Sequence, residues 1–174
     1  MLNKQALNGM WDLMRQRHGI TLRLIESLPE TKLHTHPIPG MRTPAELIVH
    51  MYNVLIDEIP RGIVAGAIKA DESAEGTTAA NLKTKADVMR FVEKSWKSGN
   101  DAIAAITDQH LSATVSTPWN MSLPGWMMVG ITNDEYLHHR GQLYCFARLL
   151  GKEPPMIWDF EHNAEAFRPR QMTA

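Results

Sequence analysis

Glu135 and His139 stand four residues apart in the run Asn133-Asp134-Glu135-Tyr136-Leu137-His138-His139-Arg140-Gly141-Gln142-Leu143, inside a long helix-forming stretch that ends at Gly151. Positions i and i+4 of an α-helix share a face about one turn apart, so a carboxylate and an imidazole placed there can reach one ion. Both groups ligate zinc and similar divalent metals, at about 2.0–2.2 Å. A site needs at least one more protein ligand, and His50 is the other histidine in the middle of an amphipathic helical pattern. The expected set is one metal held by His50, Glu135 and His139. His138, at i+3 from Glu135, cannot be separated from His139 by spacing alone; whichever is unused stands behind the ligands or faces solvent.

A blander arrangement competes with this one. A lone histidine on an apolar helix face is more often a satisfied core residue than a ligand, so the weight falls on Glu135. A carboxylate on an inner stripe is costly unless it is paired, hydrogen-bonded or metal-bound. The stripe reads Met128, Ile131, Glu135, His139 (or His138), Gln142, Phe146 and Leu149. Its polar members need partners, and a Glu–His–Gln hydrogen-bond network without an ion would also supply them. With a metal, three protein ligands leave a position open, as in catalytic rather than structural sites. That position can lower the pKa of a water or polarise a substrate oxygen.

No independent nucleophile is in view. Cys145 is flanked by apolar residues in the last helix and is expected to be buried and inert. Trp119, Asn120, Trp126 and Tyr136 are weak candidates for the mouth of the site, since aromatics there more often serve a core or an interface. His34 and His36 sit in a Pro-bracketed loop and read as surface residues. His18, His110 and His162 show no partner, and Arg140 is expected at the surface or an interface.

Four helical segments must position these groups. Asn3 to Ser27 carries Leu7, Met10, Met14, Leu22, Leu24 and Ile25 at near-helical spacing, with Gly19 as a point of possible kink. A proline-rich connection follows, through Pro29, Pro37 and Pro39. Thr43-Pro44-Ala45-Glu46 is a capping box with proline at N1. It starts a helix whose inner stripe is Leu47, His50, Met51, Val54 and Leu55, with Glu58 read as solvated. Pro60 is expected to end or kink that helix. Asp71 to Asn81 reads as a polar loop. Thr84-Lys85-Ala86-Asp87 opens a third helix with Val88, Phe91, Val92, Trp96, Ile103 and Ile106. Asp108 to Pro124 is less regular, with a short extended piece at Val115 and Trp119. The fourth helix runs from about Gly125 to Leu150, with Gly151 at C′ and Pro154-Pro155 beyond. The pattern predicts an all-α, up-and-down four-helix bundle, a fold that builds metal sites from facing helices.

With 174 residues the chain fits one domain, here 1–174 with a core at about 3–151 and a C-terminal extension, 152–174, that packs Ile157, Trp158 and Phe160 on the bundle. A formal charge of −1 gives no basic footprint for nucleic acid. A single cysteine excludes an intrachain disulfide framework, no apolar run of about 18 residues appears, and no signal-like N-terminus precedes the first helix. The expectation is a soluble, cytoplasmic protein without nucleic-acid or membrane partners.

His138-His139-Arg140-Gly141-Gln142-Leu143 followed by Ala147-Arg148-Leu149-Leu150-Gly151, with an inward histidine on the second helix, resembles the DinB/YfiT-like family. The resemblance spans most of the chain, from Thr43–Ile59 to Glu135–Gly151. It implies a four-helix bundle, commonly a homodimer, that binds a divalent metal, often zinc or nickel, through three residues. Carried over, the second-helix ligand falls on His50 and the histidine before Arg-Gly-Gln falls on His139. The family's third ligand is usually a histidine four residues earlier, where this chain has Glu135. A His₂Glu set is still a catalytic ligand set for zinc. The resemblance further implies a metal-dependent enzyme in which a low-molecular-weight thiol or a water is activated for transfer or hydrolysis of a small-molecule substrate. His138, Gln142, Tyr136 and Trp126 are then supporting or substrate-contact candidates. The alternative is a non-catalytic dimeric bundle, a binding or stress-response protein with a structural Glu/His cluster.

Overall fold

The computed structural model describes residues 2–170, and its four long helical segments form the expected bundle. Helix α1 (Lys4–Ser27) is capped by the Asn3 side chain, which accepts from the Ala6 N–H at 2.9 Å. It runs unbroken through Gly19, without the kink or break that this glycine would allow. Glycine is placed there for space: an added Cβ would lie 2.5 Å from the Phe167 Cβ, because the C-terminal segment crosses the helix at this point. The extension docks through polar anchors on α1. Asn163 Nδ2 donates to the Gln16 carbonyl at 2.9 Å, and Arg23 donates to the Asp159 carbonyl at 2.8 Å. Phe160 is half-buried, but Ile157 and Trp158 are 46% and 58% exposed, so the expectation that they pack on the body is corrected. The anchoring is done by the hydrogen bonds together with Phe160, packed against the core, and Phe167, edge-on to the His18 ring.

The second long segment begins with the capping box read from sequence, Thr43 Oγ1 accepting from Glu46 N and Glu46 returning the bond. It comprises α2 (Pro44–His50), a π-helical stretch (Met51–Glu58) and α3 (Ile59–Ala65). Pro60 therefore does not end the helix. Proline cannot donate to the Ile56 carbonyl and its ring crowds that oxygen. The wider π turn, in which the Ile59 N–H reaches Val54, accommodates it. Helix α5 (Lys85–Ala105) then presses its backbone on the same place: a Cβ on Gly99 would lie 1.8 Å from the Ile56 oxygen.

Asp71 to Asn81, read as a loop, contains a 3-10 turn (Glu72–Ala74) and α4 (Glu75–Asn81), which packs on α2. Gly76-Thr77-Thr78 has poor helix propensity; burial of Glu75 and Ala79 against the neighbouring helix overrides it. A short helix α6 (Asp108–Ser112) and a hairpin follow, strands β1 (Thr114–Ser116) and β2 (Ser122–Pro124) pairing antiparallel with Val115 opposite Leu123. Trp119 stands in the connection between the strands rather than in a strand. Helix α7 (Gly125–Leu149) closes with the Lys152 N–H on the Ala147 carbonyl and Gly151 at φ 74°. That is the glycine stop expected there.

Helix α1 packs on α5 and α7, and the 44–65 segment packs on the same two. The first and second long helices thus sit diagonally, as do α5 and α7, whereas the second segment and α5 are direct neighbours; α1 meets the second segment across the core. There His18 Nδ1 lies 2.8 Å from the Tyr52 hydroxyl, and the His18 ring stacks 4.1 Å from Trp96. Tyr136, also fully buried, donates to Thr21 Oγ1 at 2.8 Å. The diagonal order brings α2 against α7, which is what allows His50 and His139 to meet.

Candidate metal centre

His50 is the last residue of α2, where the helix begins to widen, and His139 lies mid-way along α7. Their rings approach edge to face, 4.8 Å between centroids at 88°, and both residues are buried, 8% and 7% exposed. His138 is exposed on the outer side of α7, so the structure separates the two histidines that spacing left equivalent.

The protein partners of each ring fix its proton. His50 Nδ1 is 2.8 Å from Glu75 Oε1. An ionised carboxylate only accepts, so Nδ1 carries a proton, and in that tautomer Nε2 is the nitrogen with the lone pair. Glu75 is 5% exposed and also faces Arg42, at 3.4 Å, which offsets the cost of burying its charge. His139 Nδ1 is 3.0 Å from Gln142 Oε1, while Gln142 Nε2 donates to His138 Nε2 at 3.0 Å. With the Gln142 amide in this orientation His139 Nδ1 also donates and its Nε2 is the free acceptor; the flipped amide would instead put the proton on Nε2, toward Glu135. Burial holds the His139 imidazole below its ordinary pKa; the nearby His50 and His138 act in the same direction, against Gln142 and Glu135. The ring is thus held in the neutral form that ligates metals.

That free Nε2 faces Glu135 Oε2 at 3.4 Å. Two acceptors turned toward each other repel unless a proton or a cation lies between them. Two ligands on a tetrahedral ion with bonds near 2.1 Å are separated by about 3.4 Å, so the spacing suits a bridging metal. Glu135 itself is half-exposed rather than buried on the inner stripe, which corrects the sequence reading: it stands in the lining of an open cleft. Leu149, assigned to the same stripe, is 59% exposed past the end of the bundle core. Among the described residues no three His, Cys, Asp or Glu side chains are already gathered in a group that could hold a metal ion. The His139–Glu135 pair is at ligand spacing, and the His50 ring on the facing helix lies 4.8 Å from that of His139.

The cleft holds about 200 Å³ and is lined by His50 and Glu135 with Val54, Leu55, Ile59, Ile131, Trp119, Met121 and Glu72. Trp119, on the hairpin, is held over it by its Nε1–H donating to Glu72 at 2.7 Å. Of the other mouth candidates, Trp126 is half-buried outside the cleft lining. Tyr136 is fully buried in the core, bonded to Thr21 and outside the cleft lining, and is corrected to a packing residue. Arg140 is likewise buried, at 7%, and Cys145 is exposed, both contrary to expectation. His34 and His36 are surface residues bonded to backbone carbonyls; His110 caps α6 and His162 pairs with Asp159.

Glu75 and Glu72 were not legible as site residues. They lie in the stretch that read as a polar loop, and only its folding as α4 against α2 turns Glu75 toward His50.

A family model described as DinB superfamily matches residues 13–143. Among solved structures, YfiT from Bacillus subtilis superposes with a TM-score of 0.68 at 18% identity, covering 88% of this chain and 92% of its own. It is described as a probable metal-dependent hydrolase with an unusual four-helix bundle topology. The DinB-like protein YjoA of the same organism superposes with a TM-score of 0.65 at 15% identity, over 82% of this chain and 92% of its own. No curated protein matches the chain in sequence. Among the described residues no helix is long and apolar enough to cross a membrane.

Proposed function

The chain belongs to the DinB superfamily, and from that premise we propose that it is a metal-dependent enzyme in which His50, Glu135 and His139 hold one divalent ion, zinc or nickel. The observation that carries this reading is the pair of acceptors, His139 Nε2 and Glu135 Oε2, facing each other at 3.4 Å beside a second histidine whose Nδ1 is occupied by a buried carboxylate. A carboxylate or amide on the far nitrogen of a metal-ligating histidine is a recurrent supporting arrangement. Here Glu75 and Gln142 supply it. Bound in this set, the metal would provide a Lewis acid with an open position, able to lower the pKa of a water or a low-molecular-weight thiol.

The chain's own residues do the rest. Glu75 and Gln142 orient the two imidazoles. Val54, Leu55, Ile59, Ile131 and Met121 give the cleft an apolar wall that receives the uncharged part of a small substrate and keeps water out. Trp119 closes one side. The carboxylate at position 135 lowers the charge of the site by one relative to three histidines.

A second reading has its own observation. Glu75, His50, His139, Gln142 and His138 already form hydrogen-bonded links without an ion. In that case the cluster is structural, in a non-catalytic dimeric binding or stress-response protein.

Reconstitution with zinc or nickel, followed by assay against activated esters and against electrophiles offered with low-molecular-weight thiols, separates the two. The enzyme reading expects metal-dependent turnover in one set that disappears in His139→Ala. Turnover surviving that substitution, or none in protein that carries stoichiometric metal, would sink it.

A further inference from the structure

Helix α7 has a second polar face. At 100° per residue, Arg140, Tyr144 and Arg148 lie on the side away from Ile131, Glu135 and Gln142. Together with Leu137, Cys145 and the segment from Glu153 to Ile157 they line a groove of about 890 Å³, within the size range of ligand sites. Two of its polar groups are unaccounted for. Arg140 Nη1 and the Tyr144 hydroxyl are buried without a hydrogen-bond partner among the described residues. Both residues are 7% exposed, and the guanidinium carbon is 5.7 Å from the Tyr144 ring centroid.

A buried guanidinium normally has an acceptor, because an unpaired charge and an unmet donor are both costly. The surroundings make matters worse: Arg17 is close enough that burial and the Arg140 charge together push its pKa down. Arg148 adds a further cation to the lining, against the single acid Glu153. Burial pushes the Tyr144 phenol up, so it stays protonated and available to donate. Beyond these donors the walls are apolar, formed by Leu137, Pro154, Pro155, Met156 and Ile157, the last two 65% and 46% exposed. Exposed large apolar side chains gathered beside unmet donors mark a binding surface.

We propose that this groove binds a small amphipathic carboxylate, its two oxygens on Arg140 and Tyr144 and its apolar body on Met156 and Ile157. Two donors from residues one helical turn apart can serve the two oxygens of a carboxylate, and arginine favours that planar acceptor. The site is separate from the metal centre and stands whether or not that reading holds.

Cys145 lines the groove, is exposed and is the only cysteine, so its alkylation by N-ethylmaleimide reports occupancy. With octanoate as probe, at about ten times its dissociation constant, alkylation of the full-length protein should slow roughly tenfold. Octanamide, which has the chain without the charge, should not protect. Arg140→Gln and, with the ring retained, Tyr144→Phe should each remove most of the protection. No slowing by millimolar octanoate, equal protection by octanamide, or protection unchanged in both variants would overturn the proposal. So would a thiol already unreactive in a dimer seen by light scattering, which would assign the groove to a second copy of the chain.

Discussion

His18 and His139 are buried to a similar degree, 1% and 7% exposed, yet the chain uses them in opposite ways. His18 is closed in by aromatics, stacked on Trp96 and edge-on to Phe167, with a neutral phenol on Nδ1. Burial alone, with no carboxylate to oppose it, pushes its pKa down to about 3. His139 has an amide on one nitrogen and a carboxylate facing the other, beside a second histidine and a cleft. Burial therefore does not distinguish a packing histidine from a chemical one. What distinguishes them is whether the second nitrogen is left facing another acceptor at a place a small cation can reach.

The largest effect that would sharpen this contrast is the acid response of the core. Between the ordinary histidine pKa of 6.5 and about 3, the unfolded chain takes up a proton at His18 that the folded chain refuses. Stability is therefore complete above that window and falls as pH falls through it. The single site should cost on the order of 3 kcal/mol between about pH 7 and about pH 4. His18→Gln, which keeps a polar partner for Tyr52, should lose that much less on acidification in urea unfolding. Equal losses in the two proteins would mean His18 is not the closed, neutral group described here.

A step smaller is the contribution of Glu75. Glu75→Gln should fold and retain a hydrogen bond to His50, but lower zinc affinity by about 10- to 100-fold, the range typical of supporting partners of ligating histidines. Competition with a chromophoric chelator measures it. An unchanged affinity would break the comparison, since Glu75 would then be no different from Tyr52. The smallest effect belongs to Tyr136→Phe, which deletes one buried hydroxyl bonded to Thr21. It should cost about 1 kcal/mol of stability and leave metal affinity untouched. A large loss of metal would return Tyr136 to the site.

The legibility of the sequence follows the range of the interactions involved. Capping boxes at Thr43 and Thr84, the glycine stop at Gly151 and the stripes of α1, α5 and α7 are local signals, and the elements they announce are present. The spacing of Glu135 and His139 is local too, and the two side chains do face each other. The misreadings all involve partners distant in sequence. Pro60 is tolerated because a π turn and Gly99 of another helix receive the Ile56 carbonyl. Glu75 looks like loop until α4 packs on α2. Glu135 was placed on an inner stripe, but the cleft between α7 and the hairpin leaves it half-exposed. Cys145 and Arg140 exchanged their expected environments because the C-terminal segment leaves a groove along α7 instead of packing flat on it.

The central claim is that His50, Glu135 and His139 hold one metal. Its most direct test is elemental analysis of protein purified without a metal-affinity tag and reconstituted with zinc or nickel, beside His50→Ala and Glu135→Ala. About one metal per chain in the wild type, lost in both variants while the helical content stays the same, is the predicted result. A metal-free wild type after reconstitution, or metal retained in both variants, would contradict the claim and leave the cluster as a hydrogen-bonded network only.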